Sequence, residues 1–172
     1  MSNLKTDTIE NSLEKFYTPS SLTNEIIDEI NTFIHFEPSE ILEPTAGSGM
    51  MLDVIKTRYN VPIKAFDIFN ETKRLDIIEA DYLKTKIEYV PNRLTIANPP
   101  FNKGLKMLYK MMSESDFVAC ILSQTSIVSF DFDKYDAEWE VHTIWAKKKQ
   151  QFDRVKADIS VFFLERRNKI NK

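Results

Sequence analysis

The sequence predicts an α/β domain: a mostly parallel sheet of seven strands, the last one antiparallel, with helices on both faces. Three observations carry this. Short apolar runs (Ile63–Asp67, Arg93–Ala97 and residues 117–122) alternate with segments of helical spacing, the rhythm of strand-helix-strand units. All three glycines, Gly47, Gly49 and Gly104, fall at two strand-to-helix turns, where positive φ and close backbone approach are useful. Finally, two late runs, 140–146 and 159–165, are separated by a linker too short for a crossover helix, so they pair antiparallel.

The elements follow in order. Residues 1–15 are polar and read as a flexible lead-in to a single domain over residues 16–172. In Phe16-Tyr17-Thr18-Pro19, Thr18 suits a helix cap and Pro19 a first helical position. That helix is expected to reach about Phe36, with Leu22, Ile26, Ile27, Ile30, Phe33 and Ile34 on one face; Pro38 ends it. Glu40-Ile41-Leu42-Glu43 is a short strand, Pro44 to Gly49 a tight turn, and the next helix turns Met51, Leu52, Val54 and Ile55 inward. Ile63–Asp67 is a second strand ending in an acid. A short helical stretch from Asn70 leads to a third strand, 77–81, which also ends in an acid. Arg93–Ala97 is the fourth. Leu105, Met107, Leu108, Met111 and Met112 then keep helical spacing, a stripe that reads as core. Residues 117–122 are the fifth strand, and 131–140, with five acids, read as a loop before the final pair.

At 172 residues the chain builds one sizeable core. No apolar run approaches a membrane span and the first residues lack a signal-peptide core, so a cytoplasmic protein without a membrane partner is expected. Cys120 is the single cysteine and sits in an apolar run, which excludes an internal disulfide and favours packing. His35 and His142 are isolated, so no metal-site spacing is present. Net charge is −3, but its distribution is uneven. Residues 147–172 carry nine Lys/Arg against three Asp/Glu, whereas residues 1–146 carry 14 against 23. A basic end on an acidic body fits either a phosphate-facing surface or a solvated one.

The chemistry lies at the turns. The loop from Glu43 through Pro44, Thr45, Ala46, Gly47 and Gly49 joins a strand to a helix N-terminus, where backbone amides approach a ligand. It is neither GxGxxG nor a Walker loop, and Glu43 disfavours a pyrophosphate while suiting a cationic group. Asp67 ends the next strand, placed to hold ribose hydroxyls, and Asp81 one strand on is placed to accept from an adenine amine. Either acid alone reads as a solvated strand end; together, after a glycine turn, they form a nucleoside-binding row. Asn98-Pro99-Pro100-Phe101 closes the fourth strand: two prolines cannot continue a ladder, and a polar amide with an aromatic is left at the strand's carboxyl end.

With these motifs the chain resembles the S-adenosylmethionine-dependent methyltransferases, specifically the N6-adenine DNA enzymes, over residues 16–165. Glu43 to Gly49 looks like their cofactor loop. Asp67 with Ile68, and Asp81-Tyr82, match the ribose and adenine positions. Phe16-Tyr17-Thr18-Pro19 resembles the segment that closes over the methionine end, and Asn98-Pro99-Pro100-Phe101 matches the [DNS]PP[YFW] catalytic motif. The resemblance implies a Rossmann-like methyltransferase fold, S-adenosylmethionine as cofactor, and Asn98 beside both cofactor and target.

A physical case stands beside it. An adenine N6 lone pair is delocalised into the ring. Acceptors on its hydrogens, here the Asn98 side-chain oxygen and the Pro99 carbonyl, pull the nitrogen toward tetrahedral geometry without a titrating base. Phe101 offers a face for the base. The resemblance implies nucleic acid as the substrate, DNA ahead of RNA. RNA amines, protein glutamine and a catalytically silent cofactor-binding subunit are the alternatives. Only 71 residues follow Phe101, too few for a separate target-recognition domain in addition to the last strands, so target recognition is expected from a protein partner or the basic tail.

Overall fold

The computed structural model describes residues 17–153 and 155–167; Phe16 and the predicted lead-in lie outside them. Seven strands form one sheet: β1 (Glu40–Glu43), β2 (Ile63–Asp67), β3 (Ile78–Glu79), β4 (Arg93–Ala97), β5 (Phe117–Ser123), β6 (Trp139–Gln151) and β7 (Lys156–Arg166). Their order is β3-β2-β1-β4-β5-β7-β6. The first five pair in parallel, and β7 runs antiparallel to both β5 and β6. The predicted mostly parallel seven-stranded sheet with an antiparallel last strand is what the chain forms.

Strand alternation sends side chains to two cores. Phe117, Ala119 and Ile121 of β5 face α1 (Ser20–Phe33) and α2 (Met50–Arg58), packing with Leu22, Ile26, Ile30 and Ile55. Val118, Cys120 and Leu122 point the other way, onto Met107, Leu108, Met111 and Met112 of α3 (Gly104–Glu114). The methionine stripe is core, and so is Cys120, whose thiol burial pushes well up from its ordinary pKa. Gly104 is helical rather than left-handed; a Cβ there would meet Leu122 Cδ2 at 2.7 Å, so its use is close packing of α3 on β5.

The boundaries differ from expectation at five places. α1 begins at Ser20 and stops at Phe33: Pro19 stays extended, and the Thr18 side chain caps nothing. No helix forms after Asn70, because the Asn70 side chain substitutes for it. Its Oδ1 accepts from Arg74 N at 3.1 Å, and its Nδ2 donates to the Arg74 and Ile77 carbonyls at 2.7 and 3.0 Å. β3 shrinks to two residues, and Asp81 lies in the following turn, accepting from Leu83 N at 3.1 Å. The predicted loop 131–140 contains a short helix, α5 (Phe132–Tyr135), after α4 (Ser126–Ser129). Asp131 caps α5 by accepting from Lys134 N at 3.1 Å. The supposed linker 147–158 is largely strand: β6 and β7 extend through two register shifts to pair Gln151 with Lys156. Its polar residues extend past the neighbouring strands, while Phe152, Val155 and Ala157 pack on the α1-side core; the alternation Val155, Ala157, Ile159 is a strand period that the surrounding charge run hides.

The end of the sheet away from the glycine turns is tied by buried charge. Arg93 is 1 % exposed and reaches Glu40 Oε1 at 2.6 Å and the Glu88 and Glu114 carbonyls at 2.7 and 2.8 Å. Arg166 reaches the Met112 carbonyl at 2.6 Å and stacks over Trp139 at 4.8 Å. Removing one partner from such a group costs far more than the pair contributes.

Candidate active site

β1 and β4 are neighbours, but the chain leaves β1 toward β2 and returns to β4 from the other side. This reversal of strand order opens a crevice at the carboxyl ends, where open α/β sheets bind ligands. A cleft of about 800 Å³, counting its open mouth, occupies that place. Its wall from β1 is Glu43, Pro44, Thr45, Ala46 and Gly47; from β2 it is Asp67 and Ile68. Asp81 and Tyr82 close one side, Tyr17 and Thr18 another, and Asn98 with Pro100 enters from β4. The sequence thus identified most of one continuous lining.

Four predicted residues stand outside that lining. Pro19 starts α1, and Gly49 turns the backbone into α2. Pro99 is buried beneath the loop. Phe101 begins a 3₁₀ turn, and its ring packs against the core on the α1 side. Ser48, Met50, Met51, Lys103 and Met107 also line the cleft and were not singled out. The methionines sit in a helical apolar pattern that looks the same whether it faces core or ligand.

The glycine loop is held in shape by Asp67. Gly47 N donates to Asp67 Oδ2 at 2.8 Å and Phe69 N to Oδ1 at 3.0 Å. Each carboxylate oxygen keeps a second lone pair, so the group can brace the loop and still accept from a ligand. Gly47 has φ +56°, and a Cβ there would lie 3.2 Å from the Tyr17 ring, so the Tyr17-Thr18 segment rests directly on the loop. Gly49 has φ +88°, and a Cβ would fall 2.3 Å from Arg74 Nη1. Arg74 cannot swing away freely, being bonded to Asp53 at 2.6 Å and Asp76 at 2.8 Å. Gly49→Ala is therefore expected to cost ~2 kcal/mol from the left-handed backbone and the displaced guanidinium, lowering Tm by roughly 4–8 °C in a thermal melt. An unchanged Tm would refute this account of the turn.

Glu43 is the unusual group. It is 1 % exposed, and burial first, then the nearby Asp67 charge, raises its pKa to about 8. Among the described residues, Glu43 Oε2, Thr45 Oγ1 and Ser48 Oγ are buried with no hydrogen-bond partner. Natural cores rarely leave such atoms unpaired, and three on one loop mark a place built for a polar ligand. On β4, Asn98 Nδ2 donates to Thr18 Oγ1 at 3.0 Å across 80 residues of sequence. This bond explains the missing cap: the Thr18 hydroxyl, itself 5 % exposed, turns toward Asn98.

No protein-family model and no curated protein matches the sequence. Solved structures do. A type I restriction-modification system methyltransferase subunit from Streptococcus thermophilus superposes with a TM-score of 0.69 at 14% identity, covering 89% of this chain and 45% of that one. The 23S rRNA methyltransferase ErmE gives 0.66 at 13% identity over 89% and 70% of the two chains. The ribosomal protein L11 methylase of Lactobacillus delbrueckii subsp. bulgaricus gives 0.62 at 12% identity over 89% and 82%. The fold is the Rossmann-like methyltransferase fold. Among the described residues, no helix is long and apolar enough to cross a membrane.

Proposed function

We propose that the protein is an S-adenosylmethionine-dependent methyltransferase acting, in the cytoplasm, on the N6 amine of adenine in DNA. The observation that carries this is the placement of Asn98 on one cleft with Glu43, Asp67 and Asp81, its amide anchored by Thr18. The unpartnered polar atoms of the β1 loop fit the cofactor's zwitterionic methionine end. Glu43 suits the ammonium, Asp67 the ribose hydroxyls, Asp81 the adenine amine, and Ile68, 46% exposed, the face of the purine. When bound, the cofactor supplies an electrophilic methyl on a sulfonium.

The chain's own residues do the rest. Asn98 Oδ1 and the Pro99 carbonyl accept the target amine's hydrogens, which restores its lone pair toward the methyl. The prolines fix those acceptors in advance, so little reorganisation accompanies the reaction. The Lys103 N–H donates to the Pro100 carbonyl at 2.9 Å and closes the turn after them. DNA is taken ahead of RNA because the Glu43 to Gly49 loop and Asn98-Pro99-Pro100-Phe101 together resemble those of the N6-adenine DNA enzymes. The chain spans less than half the length of the restriction-modification subunit; a partner protein that supplies target recognition is part of the proposal.

Calorimetry with S-adenosylmethionine is expected to show one site per chain. Labelled cofactor offered DNA, RNA and a lysate protein pool is expected to mark DNA, at adenine N6. No heat at high protein concentration would remove the cofactor assignment; label confined to RNA or protein would move the substrate.

A further inference from the structure

We infer that Lys148, Lys149 and Lys156, on the overhanging ends of β6 and β7, form a docking surface for the phosphates of the DNA strand that carries the target base. This rests on the DNA reading above and adds to it the surface that grips the substrate.

Register fixes where the hairpin lies. Ala97, the last residue of β4, pairs with Cys120, and Ser123, the last of β5, pairs with Ile159. Everything on β7 before Ile159, and on β6 after its partner Lys147, projects past the strand ends. This is the end where Asn98 and the glycine loop sit. Two steps across the sheet separate β4 from β7 and three separate it from β6, about 10–15 Å at the usual strand spacing. That is roughly three or four nucleotides along a strand at about 3.4 Å each.

The overhang is basic and held in place. Residues 147–158 carry five Lys/Arg against Asp153 and Asp158, on a chain otherwise acidic. Lys148, Lys149 and Lys156 are all exposed. Alternation would send Lys148 and Lys149 to opposite faces; the register shift between Lys147 and Gln150, with Lys149 at φ +51°, breaks it. The bulge is tied by Lys149 N donating to Asp158 Oδ1 at 2.8 Å. Lys147 is used otherwise, bonded to Glu25 of α1 at 2.6 Å. The overhang is packed down on either side: Phe152 is 1 % exposed and sits in the α1-side core against which Phe101 also rests, and its N–H donates to the Val155 carbonyl at 2.8 Å. A rigid basic edge beside an amine-binding cleft holds flanking phosphates without reading sequence.

The experiment compares the full chain with its Lys148→Glu/Lys149→Glu/Lys156→Glu variant by fluorescence anisotropy on an end-labelled duplex, over a salt series, with cofactor calorimetry and methylation run in parallel. The variant is expected to bind DNA at least tenfold more weakly at about 0.1 M salt. Its log–log salt slope should fall by roughly 2.7, three phosphates at about 0.9 each, with cofactor affinity and Tm unchanged. Equal DNA affinity and slope for both proteins overturns the inference, as does a wild-type chain that binds no duplex. Methylation of DNA by a variant with unchanged DNA affinity and slope leaves the substrate reading standing without the surface. Binding that depends on the lysines, with no methylation of DNA, leaves the surface standing without the substrate reading.

Discussion

Asn98→Ala is expected to lower methyl transfer by about 10²–10³-fold in kcat while changing cofactor affinity by less than about threefold. Removing one preorganised hydrogen-bonding partner of a reacting group typically costs this much, ~3–4 kcal/mol of transition-state stabilisation. The separation of the two effects follows from the geometry. The residues proposed to hold the cofactor, Glu43 and Asp67, stand on β1 and β2, whereas Asn98 extends from β4, held by Thr18 rather than by the glycine loop. Asn98→Asp keeps an acceptor at the same place and is expected to recover part of the rate. Thr18→Val removes the hydroxyl that anchors the amide; it should lower kcat by roughly tenfold, the worth of about one hydrogen bond. A titration beside a single-turnover assay decides the matter. Equal loss of cofactor binding and turnover in Asn98→Ala would mean that Asn98 serves the cofactor, and full activity would remove it from the chemistry.

What was legible before the structure follows from how locally each feature is encoded. The buried strands β4 and β5 are near-continuous apolar runs, and no other local structure competes for them. The Glu43, Asp67 and Asn98 positions were found because each is a polar residue ending such a run. The Thr18–Asn98 bond was not legible: at a separation of 80, nothing in Thr18-Pro19 distinguishes a cap from a long-range anchor. Asn70 misled for a related reason, since its helix-permissive surroundings conceal a side chain that bonds three backbone groups of its own turn. Gly104 was read as a turn residue and is a packing residue, because the neighbour that excludes a Cβ, Leu122, lies a strand away. The overhanging hairpin offered only a short alternation, Val155, Ala157 and Ile159, inside a run of charge. Phe101 is the sharpest case. The motif marks it as a face for stacking a base, but its ring rests against the α1-side core, a contact that no local pattern around residue 101 encodes.

The second large effect concerns Glu43. Its carboxyl is held protonated at neutral pH by burial and by the Asp67 charge, with a pKa of about 8 against 4.5 for an ordinary glutamate. Between those values the folded chain keeps a proton that the unfolded chain has released. The Glu43 contribution to stability is therefore fully present below about pH 4.5 and is lost as pH rises toward 8, at up to ~1.4 kcal/mol per pH unit. At pH 7 the penalty is of order 3 kcal/mol. Glu43→Gln has the same shape and no charge, so it is expected to remove that slope and raise Tm by roughly 6–12 °C at pH 7, read from melts across pH 5–8. The same substitution should weaken cofactor binding by about 10–100-fold, because a charge-assisted contact to an ammonium is lost. Binding to the wild type at pH 7 ionises Glu43 and releases close to one proton, about 0.9 for that pKa; the Gln variant should release none. Calorimetry in buffers of different ionisation enthalpy measures this directly. A Gln variant that melts with the wild-type pH slope, or binds cofactor as tightly, would falsify the assignment. If both shifts appear together, the unpaired carboxyl is a stability cost retained for binding, the trade expected where a site needs a group that the fold alone would exclude.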